Sequence, residues 1–289
     1  MIKYIILIPV YNDWQSVFKL IENIDLQINN EVIDVLIVND ASTENFNYNN
    51  KHYLKINSIK VINFIKNGGH RKAIATGLKY CQENLEYDYI IPMDGDGEDR
   101  PEELKKFFYK VEETQPEVIT AIRIKRSEGF LFKFLYFFHK VFTNLMTGKL
   151  IKFGNFTCLS KSAISKILSS GSVWLSFSGA IAKIFPSYAT INSIRGIRYF
   201  GPSKMSILGL ILHSLRISTV FRETMFIRVV IAILMFGVLA YYYSYYFLIP
   251  SLSGWIFLFL IICLALEDNI KKLNVSLNNI KSLSNIYSR

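Results

Sequence analysis

Cysteine is scarce in this chain: Cys81, Cys158 and Cys263 are three in 289 residues, odd in number and without a repeating spacing. That excludes a disulfide framework and a cysteine-built zinc site, and it fits a reducing compartment. Charge is thin too, at 19% charged against 51% hydrophobic residues, with a mean hydropathy of +0.25. The deficit has an address: residues 229–266 contain no Asp, Glu, Lys or Arg. A cleavable signal peptide is not expected, because residues 1–10 run straight into a strand pattern without the usual flanks. No internal repeat and no recognised nucleic-acid module accompanies the net charge of +10. Nucleic acid is therefore not an expected partner, and the positive excess suits phosphate-bearing ligands or an anionic bilayer surface.

The uncharged stretch reads as a membrane hairpin, a buried helical pair being the alternative. As a helix, residues 229–249 extend about 31 Å, enough to cross a hydrocarbon core. Pro250-Ser251-Leu252-Ser253-Gly254 reads as a turn. Residues 252–266 then give a second span of only about 22 Å, which calls for interfacial residues or local thinning. Tyr241-Tyr242-Tyr243-Ser244-Tyr245-Tyr246 and Trp255 supply an aromatic belt near the turn. Arg216, Arg222 and Arg228 precede the hairpin, Lys271, Lys272, Lys281 and Arg289 follow it, and its turn carries no charge. The positive-inside rule then puts both flanks in the cytoplasm, as for a multi-pass inner-membrane protein. Residues 269–289, rich in Asn, Ser and Lys, are expected to be weakly ordered.

The first half alternates strands with helices. Strands are predicted over residues 3–10, 32–39, 60–64, 87–93 and 117–124, and helices over 14–28, 70–84 and 101–114. This rhythm predicts an α/β fold with a mostly parallel, Rossmann-like sheet covered on both faces. Ligands of such sheets bind beyond the carboxyl ends of the strands, and Asp13, Asp40, Asn67 and the Asp94–Glu98 cluster all follow strands. From Arg123 onward the character changes. Residues 130–140 mix Phe and Tyr with Lys and His, and residues 203–221 are apolar and lightly basic. Both segments suit amphipathic helices lying on a bilayer, and both suit ordinary core helices.

The most informative segment is Asp94-Gly95-Asp96-Gly97-Glu98-Asp99-Arg100-Pro101, at the end of the apolar run 87–93. Carboxylates spaced by glycines at a strand end offer hard oxygens to Mg²⁺ or Mn²⁺ carrying phosphate oxygens. The same residues also suit a plain strand-to-helix turn, with Pro101 at the helix start and Glu102 and Glu103 at its positive end.

Four signals line up in order: Ile8-Pro9-Val10-Tyr11-Asn12-Asp13, then Val38-Asn39-Asp40-Ala41-Ser42, then Asn67-Gly68-Gly69 followed by Arg71, and then Asp94-Gly95-Asp96. In order and spacing they resemble the family 2 glycosyltransferases of the GT-A fold. Pro101-Glu102-Glu103 after the acidic turn, Arg198 ahead of Gly201-Pro202-Ser203-Lys204, and the C-terminal hairpin resemble its polyprenyl-phosphate branch, which includes the dolichol-phosphate mannose synthase type.

The resemblance implies an inverting, membrane-bound transferase. It would move sugar from a UDP- or GDP-linked donor to a polyprenyl phosphate, with Mg²⁺ or Mn²⁺. It implies that Pro9, Tyr11 and Asp13 border the base and ribose, that Asp40 hydrogen-bonds the base, and that Asn67, Gly68 and Gly95 line the donor site. Asp94 and Asp96, with Glu98, are implied to hold metal and diphosphate. Arg123 and Arg126 are implied to face the acceptor phosphate, and Arg198 and Lys204 to add positive charge near the phosphates. Where the family commonly carries Gly-Asp-Phe-Arg-Leu, this chain has Gly154-Asn155-Phe156-Thr157-Cys158-Leu159, so the acid is Asn155 and the Arg is Thr157.

Three rivals follow: addition of sugar to a lipid-linked glycan, a nucleotide-binding membrane scaffold without catalysis, and, ranked last because the hairpin carries no intramembrane charge, a small channel or carrier component. The expected organisation is a catalytic domain over 1–202, whose 123–150 segment faces the acceptor, then an interfacial helix over 203–227, a hairpin over 228–267 and a tail over 268–289. Homo-oligomerisation is left open.

Overall fold

Strand β1 (Lys3–Val10) sets the pattern for the whole sheet. Tyr4, Ile6, Ile8 and Val10 point into one hydrophobic cluster while Ile5 and Leu7 point into another, so the strand is buried on both faces. Such a strand must be sandwiched between helical layers. The computed structural model, which describes residues 1–44, 52–125, 130–202, 207–266 and 270–289, has that arrangement.

Helix α1 (Trp14–Gln27) follows β1, and β2 (Val32–Asn39) and β3 (Ile56–Phe64) come next. Then come α2 (His70–Asn84), β4 (Tyr89–Pro92), a single 3₁₀ turn and α3 (Leu104–Thr114). After β5 (Val118–Lys125) and α4 (Phe130–Thr147), the chain forms β6 (Thr157–Ser160), α5 (Lys161–Ser170), α6 (Phe177–Ile184) and β7 (Ala189–Ile194). The C-terminal part holds α7 (Ile207–Thr219), α8 (Arg222–Tyr242), α9 (Leu248–Ala265), the short α10 (Ile270–Asn274) and β8 (Ile280–Ser288).

One eight-stranded sheet results, in the order β7-β5-β6-β4-β1-β2-β3-β8. β1 pairs in parallel with β2 and β4, β2 with β3, and β5 with β7, while β6 and β8 pair antiparallel with their neighbours. Val17, Leu20, Ile21 and Ile24 of α1 cover one face with Leu104, Phe107 and Phe108 of α3. Ile74 and Leu78 of α2, Ile164 and Ile167 of α5 and Ile181 of α6 cover the other. The mostly parallel α/β fold is thus the one the alternation predicts.

Two expectations are corrected. The tail is not weakly ordered. β8 adds to the sheet edge beside β3, Arg289 N donates to Asn57 O at 2.9 Å, and Asn279 exchanges bonds with Ile65 and Lys66. Its period is hidden because the register slips at Ile59/Lys60 and at Asn63/Phe64. Those bulges leave extra residues on β8 and break the alternation that marks a strand.

The hairpin turn is also not at residues 250–254. α8 ends at Tyr242, one 3₁₀ turn spans Tyr245–Phe247, and Pro250 lies in the first turn of α9. A proline there removes an N–H that has no intrahelical partner anyway, so the helix tolerates it. The second helix therefore has 18 residues, about 27 Å. Both helices are long and apolar enough to cross a bilayer. They pack closely: a Cβ on Gly254 would sit 2.5 Å from Ile233. Tyr241, Tyr242, Tyr243, Tyr245 and Tyr246 are exposed at the turn.

The two amphipathic segments each have a packed side and an open one. In α4, Thr143 and Thr147 are buried and Phe142 and Met146 lean on the hairpin base, whereas Phe137, Phe138, Val141 and Leu145 are exposed. In α7, Ile217 and Ser218 are buried while Leu208 and Ile211 are exposed.

Candidate active site

Three strand ends build the site, and each end is bent by unusual backbone. After β1, Asn12 adopts a left-handed φ of 49°, and after β2, Ala41 does so at 57°. Both conformations are costly for non-glycine residues and are held by their surroundings. Asn12 Oδ1 accepts from Thr43 N at 2.9 Å, and Asn12 N donates to Ser42 Oγ at 3.0 Å, latching the two tips together. Pro9 is buried in β1 and Tyr11 is exposed at its tip.

Asp40 is buried at the end of β2. Its carboxylate accepts from Gly68 N at 2.6 Å and Gly69 N at 2.8 Å, and Asn67 Nδ2 donates to Asp40 O at 3.1 Å. Asp40 therefore shapes the Asn67-Gly68-Gly69 loop that opens α2. Burial raises its carboxyl above the ordinary value, and the two amide bonds oppose that rise.

The acidic turn follows β4. A Cβ on Gly95 would lie 2.8 Å from Val17 Cγ2 and 3.4 Å from the Pro9 carbonyl, so the turn rests directly on β1 and α1. Each carboxylate in it has its own positive or amide partner. Asp94 Oδ1 is 3.2 Å from His70 Nε2 and 3.5 Å from Asn155 Nδ2, and those two nitrogens are 2.9 Å apart. Asp96 Oδ1 accepts from Glu98 N at 3.0 Å, and its Oδ2 accepts from Arg198 at 2.6 Å. The same guanidinium reaches Asp13 Oδ2 at 3.1 Å. Glu98 is paired with Arg195. Asp99, which is 3% exposed, accepts from Arg123 and from Asp94 N, each at 3.1 Å.

This crowding separates the acids electrostatically. Burial alone would raise Asp94, but the His70 charge and hydrogen bond, then Arg123, hold it well below the usual carboxylate range. Burial and the neighbouring Asp94 charge push Asp96 up to about 6 and Asp99 up to about 7. Burial opposes protonation of His70, yet the Asp94 charge raises it above its ordinary value.

The expected residues Asp13, Asp96 and Arg198 are thus joined by ion pairs, Asp94 stands in the same turn with His70 and Asn155, and Asp40, Asn67 and Gly68 form the adjoining loop. Arg123 enters through Asp99. Arg126 and Lys204 lie outside the described residues. Four partners were not anticipated: His70, Asp99, Arg195 and Tyr199. Among the described residues, no three His, Cys, Asp or Glu side chains form a metal-holding group. Glu98, expected as a third ligand, is paired with Arg195, as Asp96 is with Arg198 and Asp94 with His70. A hard cation carried mainly by a diphosphate needs only one or two protein carboxylates, and the Asp94–Asp96 pair fits that requirement.

A mostly parallel α/β sheet with an acidic turn beyond the carboxyl ends of its strands is the arrangement expected of the GT-A fold. The family model for glycosyl transferase family 2 matches residues 5–168, and the chain belongs to that family. It is 30% identical over 121 residues to an uncharacterized protein of Methanocaldococcus jannaschii, covering 41% of this chain and 51% of that one. It is 32% identical over 135 residues to the uncharacterized glycosyltransferase YkcC of Bacillus subtilis, covering 46% and 40%. The chain thus matches about half the length of these curated relatives or less. Among solved structures, glucosyl-3-phosphoglycerate synthase from Mycobacterium tuberculosis, in complex with Mn²⁺, UDP-glucose and phosphoglyceric acid, shares the fold. Its TM-score is 0.53 at 12% identity, over 77% of this chain and 79% of that one.

Proposed function

We propose that this protein transfers a sugar from a UDP- or GDP-linked donor to a polyprenyl phosphate at the cytoplasmic face of a membrane. The observation that carries the reading is the acidic turn. Asp94 and Asp96 stand beyond the carboxyl ends of the sheet among three guanidinium groups, Arg123, Arg195 and Arg198, with the His70 imidazole beside Asp94. That combination suits a nucleotide diphosphate and its counter-ion. Asp94 and Asp96 would hold Mg²⁺ or Mn²⁺, which supplies charge stabilisation to the departing diphosphate.

The chain's own groups do the rest. Asp40 fixes the glycine loop beside the nucleotide, and Asp13 and Arg198 tie the β1 end to the acidic turn. Arg198 and Arg123 stabilise negative charge on the phosphates. An acceptor phosphate oxygen is already anionic near neutral pH, so it attacks the anomeric carbon without a strong base. The bond to the diphosphate breaks as the new bond forms on the opposite side, which inverts the centre. Arg126 is assigned to the acceptor phosphate, and Lys204, with Arg198, adds positive charge near the phosphates.

Membrane placement is supported by the two apolar helices and by the charge distribution. Lys and Arg flank the hairpin at its base, and none lies at its turn. The exposed apolar sides of α4 and α7 suit the headgroup layer, where they keep the site level with a lipid phosphate. One feature favours a second acceptor, a lipid-linked glycan: Asn155, in place of the family's acid, is bonded to both His70 and Asp94.

The test is to incubate purified full-length protein with labelled UDP- and GDP-sugars, polyprenyl phosphate and Mn²⁺. A single sugar on the lipid phosphate is the expected product. Label only in larger lipid-linked glycans moves the assignment to the second acceptor. Donor binding with neither product nor hydrolysis contradicts catalysis and leaves a scaffold.

A further inference from the structure

The segment that follows β7 lies across the acidic turn as a strap. Gly196 N donates to Glu98 O at 2.8 Å and Tyr199 N donates to Asp96 O at 2.9 Å, so the two backbones are stitched together. Arg195 pairs with Glu98, and Arg198 bridges Asp96 and Asp13. Tyr199 lies on Gly97, where any Cβ would sit 2.5 Å from its ring, and its hydroxyl accepts from Asn23 Nδ2 at 2.8 Å. The Arg198 guanidinium is not fully satisfied in this position, because its buried Nε has no hydrogen-bond partner.

We infer that Arg198 is a built-in counter-ion that occupies Asp96 in the resting protein and excludes a free divalent cation. The carboxylate is released only when a nucleotide diphosphate offers the guanidinium replacement oxygens. The inference rests on the proposed role of Asp96 as a metal ligand and adds an order to the binding. Two positive groups cannot share one carboxylate oxygen at contact distance without strong repulsion. Asp96 Oδ2 is already 2.6 Å from Arg198, and Oδ1 is held by the Glu98 amide. A diphosphate resolves the conflict. It brings negative oxygens for the metal and an acceptor for the unpaired Nε–H, and planar guanidinium groups match phosphate geometry. Metal and nucleotide then bind together.

The test measures Mn²⁺ binding to detergent-solubilised full-length protein by the loss of the free Mn²⁺ paramagnetic signal, with no nucleotide or sugar present. Wild type is expected to bind Mn²⁺ weakly. Arg198→Met, which keeps bulk and removes charge, is expected to bind at least about tenfold more tightly. That gain is expected to disappear in the Arg198→Met/Asp96→Asn double variant. Tyr199→Phe removes only the Asn23 bond and loosens the strap, with an expected gain of about threefold; it serves if the first variant does not fold. Equal affinity in wild type and both strap variants overturns the inference while leaving the metal reading intact. Mn²⁺ bound by none of them, even with UDP or GDP added, overturns both.

Discussion

Gly97 concentrates the constraints on the acidic turn in one residue. Its φ is +87°, and the Tyr199 ring fills the space a side chain would need. Replacing Gly97 with Ala imposes backbone strain and displaces Tyr199, at a cost of about 1–3 kcal/mol. Melting of the variant is expected a few degrees lower, with transfer activity reduced more than the melting shift explains, because the strap shifts with the ring. An unchanged melting temperature and rate would remove the strap from the site. Residues such as Asp13, Asp40, Asp94 and Asp96 were legible from sequence because each follows a recognisable strand. Which cation meets which acid was not, although Arg123 and Arg198 are both among the expected residues. Arg198 meets Asp96 across 102 positions, and Arg123 meets Asp99 across 24. His70 left a weak trace, as the first residue of a helix that opens after a Gly-Gly pair. Its contact with Asp94 comes from the placing of α2, which packs against β1 and β2 and starts beside the acidic turn. Asp40 shows the opposite gap: its position was readable, but both its carboxylate oxygens serve the Gly68 and Gly69 amides.

Among elements, β8 does most to tie the molecule together. It covers the edge of β3, its Tyr287 hydroxyl bonds to Tyr53 O at 2.5 Å, and Asn63 reaches Ser282 at 3.1 Å. Removing residues 280–289 exposes the backbone groups of a buried-sheet strand and the apolar surface beside Tyr53. The truncated protein is expected to melt at least about 5 °C lower and to aggregate on extraction. A tail without structure would leave melting unchanged. The strands β1 and β2 were readable to the residue because both faces are buried and the apolar runs are continuous. β8 was hidden by its bulges. The hairpin turn was misread for a related reason: Pro and Gly in 250–254 resemble a breaker, yet Pro250 sits at the tolerant start of α9 and Gly254 allows close packing against Ile233.

At the scale of the whole molecule, β8 closes the path of the two apolar helices back onto the sheet. α8 leaves from the side of the sheet domain, α9 returns, and β8 then joins the same sheet. Both ends of the hairpin therefore lie on one side, and the exposed tyrosines of the turn lie at its far tip. In sealed membrane vesicles, an epitope inserted after Ser244 is expected to be accessible only from the face opposite an epitope at the N-terminus. Access to both from one face contradicts the membrane hairpin. Arg228 of α8 joins the hairpin to α4. It donates to the Asn144 and Leu145 carbonyls at the end of α4, just ahead of the segment that carries Asn155 to Asp94.

The acidic turn carries the functional reading, and the affinity of the protein for UDP and GDP, measured with Mn²⁺ and again with EDTA, tests it most directly. Mn²⁺ is expected to tighten one nucleotide by at least about tenfold in the wild type and to have no effect in Asp96→Ala. The same affinity with Mn²⁺ and with EDTA, or an undiminished Mn²⁺ effect in Asp96→Ala, would contradict a metal-held diphosphate at this turn.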